Sequence, residues 1–272
     1  MTILQGAALF LAAMLAGALN SVAGGGSFIS FPTLLFTGVP SIPANATNTI
    51  AMFPGSVASI PAYRKDFAHE RRELLLFSAV SVVGGVLGAV ILLKTPPKLF
   101  DHLIPWLLLI ATLIFAFGGS VGQWLRARRE GSAPADGATP TDGAIMSGQS
   151  PRALLIVMAV QFIIAMYGGF FGGGIGIMML AALSLLGMRD IHAMNALKVV
   201  LASVINGVAV IAFIIAGAIY WSQALLMIVG AVAGGYGGAA LAHRVPPLYV
   251  RRFVIAVGLL ISAYFFYKQG VL

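Results

Sequence analysis

Long apolar segments recur through the chain, and two of them contain a run of three glycines, at Gly24–Gly26 and Gly172–Gly174. About 20 apolar residues are enough to cross the hydrocarbon core of a bilayer, roughly 30 Å thick. Only helices or closed barrels satisfy their backbone hydrogen bonds in that core. The chain has 9% charged residues, against about 25% in soluble domains. We therefore predict an all-α, polytopic helical membrane protein.

The glycine runs belong to a duplication of the whole chain. Residues 46–56 align with residues 193–203 at an offset of 147, which pairs one asparagine with another. Residues 84–97 align with residues 234–247 at an offset of 150, and each ends in a pair of prolines. Landmarks that repeat in register predict two homologous halves.

The predicted organisation is a first transmembrane repeat at 1–125, a hydrophilic linker at 126–150 and a second transmembrane repeat at 151–272. Basic residues in one loop of the first half are missing from its counterpart in the second half, which predicts inverted topology. Each repeat should hold a glycine-broken hairpin, at 4–37 or 153–187, and about three further transmembrane helices. Because two full crossings need about 40 residues, at least one arm of each hairpin is expected to be short or re-entrant.

A glycine break in a membrane helix can expose backbone N–H groups, and these attract an anion together with the next helix N-terminus. The glycine runs and the helices after them supply the candidate substrate-binding residues: Gly24, Gly25, Gly26, Asn48, Thr49, Gly172, Gly173, Gly174, Asn195 and Lys198. The alternative role of clustered glycines is close helix packing. We assign the remaining clusters to packing: Gly84, Gly85, Gly88, Gly234, Gly235, Gly237 and Gly238.

Lys198 is the basic residue that lies well inside an apolar segment. A lysine at the bilayer centre costs roughly 2.5–3.5 kcal/mol, which a bound anion would offset. The alternative is a snorkelling side chain, since Lys198 lies about 10 Å from the expected helix start. Asn48 and Asn195, at matched positions, and Thr49 could donate to an oxyanion or instead join helices. Weaker candidates on the same reasoning are Asn20, Ser21, Ser56, Gln161, Ser203 and Asn206.

The distribution of ionisable residues narrows the function. The eight acidic residues and four histidines fall in predicted loops, in the linker or at segment ends, and the chain has no cysteine. A buried carboxylate relay and a carboxylate cage for a cation are therefore not expected, and the substrate is predicted to be an anion. We expect no enzyme activity, no cofactor and no metal site. The net charge of +8 fits loop orientation in the bilayer rather than nucleic-acid binding. A homodimer stays open.

The paired motifs resemble those of the sulfite exporter TauE/SafE family of membrane transporters. The resemblance rests on AGGGSFISFPTLLFTG at 23–38 with ATNTIAMFPGS at 46–56, and on GGFFGGGIGIMMLAALSLLG at 168–187 with AMNALKVVLAS at 193–203. It implies export of sulfite or a small organosulfonate across the bacterial inner membrane. It covers the glycine turns and both asparagine positions, but it does not extend to the lysine.

The function that we expect is secondary transport of a small sulfur-containing oxyanion by alternating access, with the substrate site near the bilayer midplane. Two other classes stay open. An anion channel would share the positive interior, and a membrane protein with an assembly or regulatory role would need no substrate site.

Overall fold

The computed structural model describes residues 1–22, 25–60, 71–130, 151–185, 188, 191–241 and 247–270. Within these ranges the regular secondary structure is helical, and the principal helices in chain order are α1 (Ile3–Val22), α2 (Ser27–Phe36), α3 (Ser41–Ser59), α4 (Arg71–Lys94), α5 (Pro97–Glu130), α6 (Pro151–Phe170), α7 (Ile175–Leu185), α8 (Ile191–Ile215), α9 (Trp221–Leu241) and α10 (Pro247–Lys268). α5 continues past the predicted start of the linker, and residues 131–150 lie outside the described residues.

Five described segments are long and apolar enough to cross a membrane: Ile3–Asn20, Leu74–Lys94, Pro97–Phe117, Ala193–Ile215 and Tyr249–Lys268. Large apolar side chains on their outer faces are exposed, as expected where the surrounding solvent is lipid. The predicted class, a polytopic helical membrane protein, is confirmed.

Both predicted hairpins break at their glycines. α1 is followed by the short α2, which has 10 residues, and α6 is followed by the short α7, which has 11 residues. At 1.5 Å per residue, a helix of this length covers about half of the hydrocarbon core, roughly 30 Å thick. The structure thus has a short helix after each break, while a re-entrant path through the bilayer stays a prediction.

The helix packing repeats between the halves. The most extensive helix–helix contacts join α1 to α9 and α4 to α6, and smaller ones join α3 to α9 and α4 to α8. If α1 to α5 are matched in order with α6 to α10, the contact between α1 and α9 corresponds to the contact between α6 and α4. The contact between α3 and α9 corresponds in the same way to the contact between α8 and α4. α5 packs on α10 and α3 on α8, each with its own counterpart. This pattern is the one expected of two related halves, while the duplication and the inverted orientation in the bilayer stay predictions.

Glycines bring the long helices into close contact. A Cβ atom added at Gly234 would collide with the backbone of Met14 where α9 crosses α1. One added at Gly88 would collide with the backbone of Met166 where α4 crosses α6. Small residues at a helix crossing let the two backbones approach, which is how packing stabilises helix pairs in lipid.

The packing role predicted for the glycine clusters is confirmed for most of them: Gly84, Gly85, Gly88 and Gly234. It is wrong for Gly237, because a Cβ atom there would meet nothing within 4 Å. Gly235 makes only an ordinary contact, 3.8 Å from the carbonyl oxygen of Gly17. The surroundings of Gly238 fall outside the described part of the structure.

Candidate functional site

The first glycine break joins α1 to α2 and is held by a side chain of α1. Gly25 has φ = +89°, a left-handed conformation that glycine adopts without the steric cost of a Cβ atom. The backbone N–H of Gly26 donates to Oδ1 of Asn20 at 2.8 Å. Gly24 lies outside the described residues. An anion at this break would have to compete with Asn20 for the Gly26 N–H.

The surroundings of the first break are apolar. A Cβ atom added at Gly25 would lie 2.9 Å from Cγ1 of Val254 and 3.2 Å from the ring of Phe115. One added at Gly26 would collide with the backbone of Ala16. Val254 and Phe115 are themselves buried, at 1% and 3% exposure. Gly25 and Gly26 therefore act as packing residues in this structure.

The second glycine break joins α6 to α7 and has two left-handed residues. Gly172 has φ = +77° and Gly174 has φ = +79°. The hydroxyl of Tyr167 donates to the carbonyl oxygen of Gly173 at 2.9 Å, so a side chain of α6 again spans the break. A Cβ atom added at Gly172 would lie 3.9 Å from Oδ1 of Asn206 on α8. This break has polar groups beside it.

The two side chains that span the breaks differ in their chemistry. Asn20 and Tyr167 each bond a residue six positions further along. Asn20 accepts a hydrogen bond and so occupies a backbone N–H, whereas Tyr167 donates one and so occupies a backbone carbonyl. The first N–H groups of a helix have no intrahelical partner and favour an anion. The chemistry of anion binding is therefore better preserved at the second break.

Lys198 lies beside the first turn of α7. A Cβ atom added at Gly176 would lie 3.3 Å from Cδ of Lys198, so the aliphatic part of the lysine packs on this glycine. Its Nζ donates to Oδ1 of Asn195 at 2.9 Å. Both side chains are partly buried. The structure thus brings two of the candidate residues together and places them next to the helix that follows Gly172–Gly174.

Asn48 and Thr49 are hydrogen-bonded to residues of the first half of the chain. Oδ1 of Asn48, which is 4% exposed, accepts from the hydroxyl of Ser30 at 2.5 Å and thereby joins α3 to α2. The Thr49 hydroxyl donates to the carbonyl oxygen of Asn45 at 2.8 Å. The matched asparagines consequently differ, because Asn48 binds a serine of the neighbouring helix and Asn195 binds a lysine of its own helix.

Two polar residues of α3 that we did not select connect the halves. Nδ2 of Asn45, which is 2% exposed, donates to the carbonyl oxygen of Phe170 at 3.1 Å, just before the second break. Oγ1 of Thr47 accepts from the backbone N–H of Tyr220 at 3.0 Å, at the start of α9. The available signal was their spacing, since polar residues recur within one turn of an otherwise apolar helix. Tyr167 was also missed, and its position before the glycines was the only clue.

Two cationic side chains stand apart from the rest. Among the Lys and Arg side chains that the structure describes, Lys198 and Arg251 are partly buried and the others are exposed. Nη2 of Arg251, on α10, donates to the carbonyl oxygen of Ala116, on α5, at 2.6 Å. Among the described side chains, two partly buried positions can therefore attract an anion.

Comparison with known proteins gives consistent matches along the chain. The family model described as "Sulfite exporter TauE/SafE" matches residues 9–265. A "Probable membrane transporter protein" of Haemophilus influenzae is 27% identical over 266 residues, which cover 97% of this chain and 95% of the relative. "Probable membrane transporter protein YfcA" of Escherichia coli K12 is 27% identical over 262 residues, 96% of this chain and 89% of the relative. No solved structure shows a significant match.

Proposed function

The chain belongs to the sulfite exporter TauE/SafE family, and from this premise we propose that it exports a small sulfur-containing oxyanion, sulfite or an organosulfonate. Its curated relatives carry the description of probable membrane transporters, and the chain is a multi-pass membrane transporter. The family description supports the substrate class, and so does a sequence whose acidic residues fall in loops, in the linker or at segment ends. The proposed location is the bacterial inner membrane.

The observation that carries the proposal is the position of Lys198. Its ammonium group is hydrogen-bonded to Asn195 and lies within two bonds of the carbon that packs on Gly176. A cation at this depth needs a partner that offsets its desolvation. An oxyanion between them would be a partner for the Lys198 ammonium group and for the first N–H groups of α7, because the N-terminus of a helix also favours negative charge.

The two breaks have different roles in the proposed mechanism. The second break, with Gly172–Gly174 and Lys198, binds the substrate. The first break, where Gly25 packs on side chains of α5 and α10, has a packing role and does not contact the substrate. Rocking of one repeat against the other would then expose the site to each side in turn. Because the acidic residues fall in loops, in the linker or at segment ends, a transported proton would be carried by the anion itself, or transport would be uniport.

The test is flux through proteoliposomes that contain the purified chain, with sulfite, sulfate and sulfoacetate as substrates. We expect saturable sulfite or sulfoacetate flux and counterflow exchange. A hydrogen bond to a charged group contributes about 1.5–3 kcal/mol, so Lys198→Gln should raise the KM by roughly 10-fold to 100-fold. Lys94→Gln is the matched control, since Lys94 is exposed at the end of α4.

Three outcomes would contradict the proposal. Flux that does not saturate and shows no counterflow would indicate a channel. A chain that moves none of the three anions would remove the substrate class. A KM for Lys198→Gln equal to that of Lys94→Gln would show that Lys198 is a snorkelling residue and would remove the site.

A further inference from the structure

Arg251 is the second cation in the interior of the described structure, and the proposed substrate site does not use it. It lies near the start of α10, within the apolar segment Tyr249–Lys268. Arg252, the next residue, is exposed, whereas Arg251 is partly buried against α5. The two adjacent arginines thus have different surroundings. Contact with solvent explains the exposed position of Arg252 but not the partly buried position of Arg251.

Arg251 is close to the first glycine break. Val254 lies one turn further along α10 and would be 2.9 Å from a Cβ atom at Gly25. Phe115, the residue before the carbonyl that Arg251 binds, would be 3.2 Å from the same atom. One helical turn rises about 5.4 Å. The backbone of Arg251 therefore lies about one turn from Val254, and its guanidinium group binds the carbonyl of the residue that follows Phe115.

The hydrogen bond that Arg251 makes can be exchanged for another. Its acceptor, the carbonyl oxygen of Ala116, lies inside α5, which continues to Glu130. A carbonyl in a helix interior already accepts an intrahelical hydrogen bond. Releasing Arg251 would therefore leave no unpaired carbonyl. A guanidinium group has five N–H donors in a planar fork that matches an oxyanion, and the described structure records one of them in use.

We propose that Arg251 forms a second anion subsite where α10 packs on α5, which holds the substrate between the cytoplasmic face and Lys198 and beside the apolar first glycine break rather than in it. This inference rests on the proposed function, because the ligand is the same oxyanion. In the sequence, Arg244, Arg251 and Arg252 cluster around the start of α10, and basic residues at a segment end predict the cytoplasmic side. A substrate that enters there meets Arg251 first and exchanges the hydrogen bond to Ala116 for bidentate bonds to its own oxygens.

The test measures [35S]sulfite transport in inside-out membrane vesicles, whose outer face is the cytoplasmic one. Arg251→Gln should raise the KM by about 10-fold or more, since charge-assisted hydrogen bonds contribute about 1.5–3 kcal/mol. Arg251→Lys, which keeps the charge but loses the planar fork, should give an intermediate KM. Arg252→Gln is the matched control and should keep the wild-type KM.

Thermal stability of the purified variants separates binding from helix packing. If Arg251 only ties α10 to α5, Arg251→Gln will lower the midpoint of unfolding and the maximal rate and will leave the KM unchanged. That result overturns the proposal, and so does a KM equal to that of Arg252→Gln. Either result counts against this subsite alone when wild-type transport saturates and Lys198→Gln is impaired, so the proposed function is tested separately.

Discussion

Replacing Gly230 by alanine should force α1 and α9 apart. A Cβ atom at this position would lie 2.6 Å from the carbonyl oxygen of Phe10 and 3.2 Å from Cβ of Ala13. Ordinary contact begins at 3.4 Å, so α1 must move back by about 0.8 Å, the difference between 3.4 Å and 2.6 Å. The neighbour is backbone and has no rotamer to change. Overpacking of this kind costs about 1–3 kcal/mol, and we expect the upper part of that range.

The matched control is Gly237→Ala, in the same helix. Gly237 lies two turns beyond Gly230 on nearly the same face of α9, but a Cβ atom there would meet nothing within 4 Å. Both variants exchange a helical glycine for alanine, so the change in helix propensity cancels between them. The difference in their unfolding free energies therefore measures the cost of separating the helices.

The assay is thermal unfolding in detergent, followed by the intrinsic fluorescence of the three tryptophans. A cost of 2–3 kcal/mol corresponds to a fall of roughly 5–10 °C in the midpoint for a chain of this size. We expect Gly237→Ala to stay close to wild type. Equal midpoints for the two variants would refute the reasoning, because they would show that α1 and α9 do not pack through the backbone at this crossing.

Two further predictions concern the second glycine break. Tyr167→Phe keeps the ring but loses the hydrogen bond to the carbonyl of Gly173, which contributes about 0.5–1.5 kcal/mol to stability. We therefore expect a lower midpoint of thermal unfolding than for Tyr267→Phe, the control at an exposed tyrosine. Asn45→Leu removes the buried bond to the carbonyl of Phe170 and should destabilise the chain by about 1–3 kcal/mol, measured by thermal unfolding.

Each of these results has a contrary outcome. A midpoint of unfolding for Tyr167→Phe equal to that of Tyr267→Phe would mean that the hydrogen bond across the break adds nothing to stability. An Asn45→Leu variant that unfolds at the wild-type temperature would mean that the bond between the halves adds nothing to stability.

The positions of the two hairpin breaks were predictable because the physical constraint is local. Three consecutive glycines cannot continue a stable helix at low cost, and two of the described glycines at the second break adopt the left-handed conformation. The asymmetry between the breaks was not predictable. It depends on whether Val254 and Phe115 or Lys198 and polar groups lie nearby, and these residues are far from the breaks in the sequence.

The candidate site shows the same division. The adjacency of Asn195 and Lys198 follows from their spacing of three residues on one helix, and it appears in the structure at 2.9 Å. The bond from Asn45 to Phe170 joins residues 125 positions apart, and nothing in the local pattern specifies it. The interior position of Arg251 was missed for a related reason, since a basic residue near the end of an apolar segment is usually explained by orientation in the bilayer.

The sequence by itself determined the helical membrane class and the sites of the breaks, because bilayer thickness, backbone hydrogen bonding and glycine conformation act over one or two helical turns. Only the tertiary structure decided which glycines pack and which lie beside polar groups, and which cations are drawn into the interior. Those outcomes depend on which helices cross, and the crossing partners of a helix are set by the shape of the whole assembly rather than by its own residues.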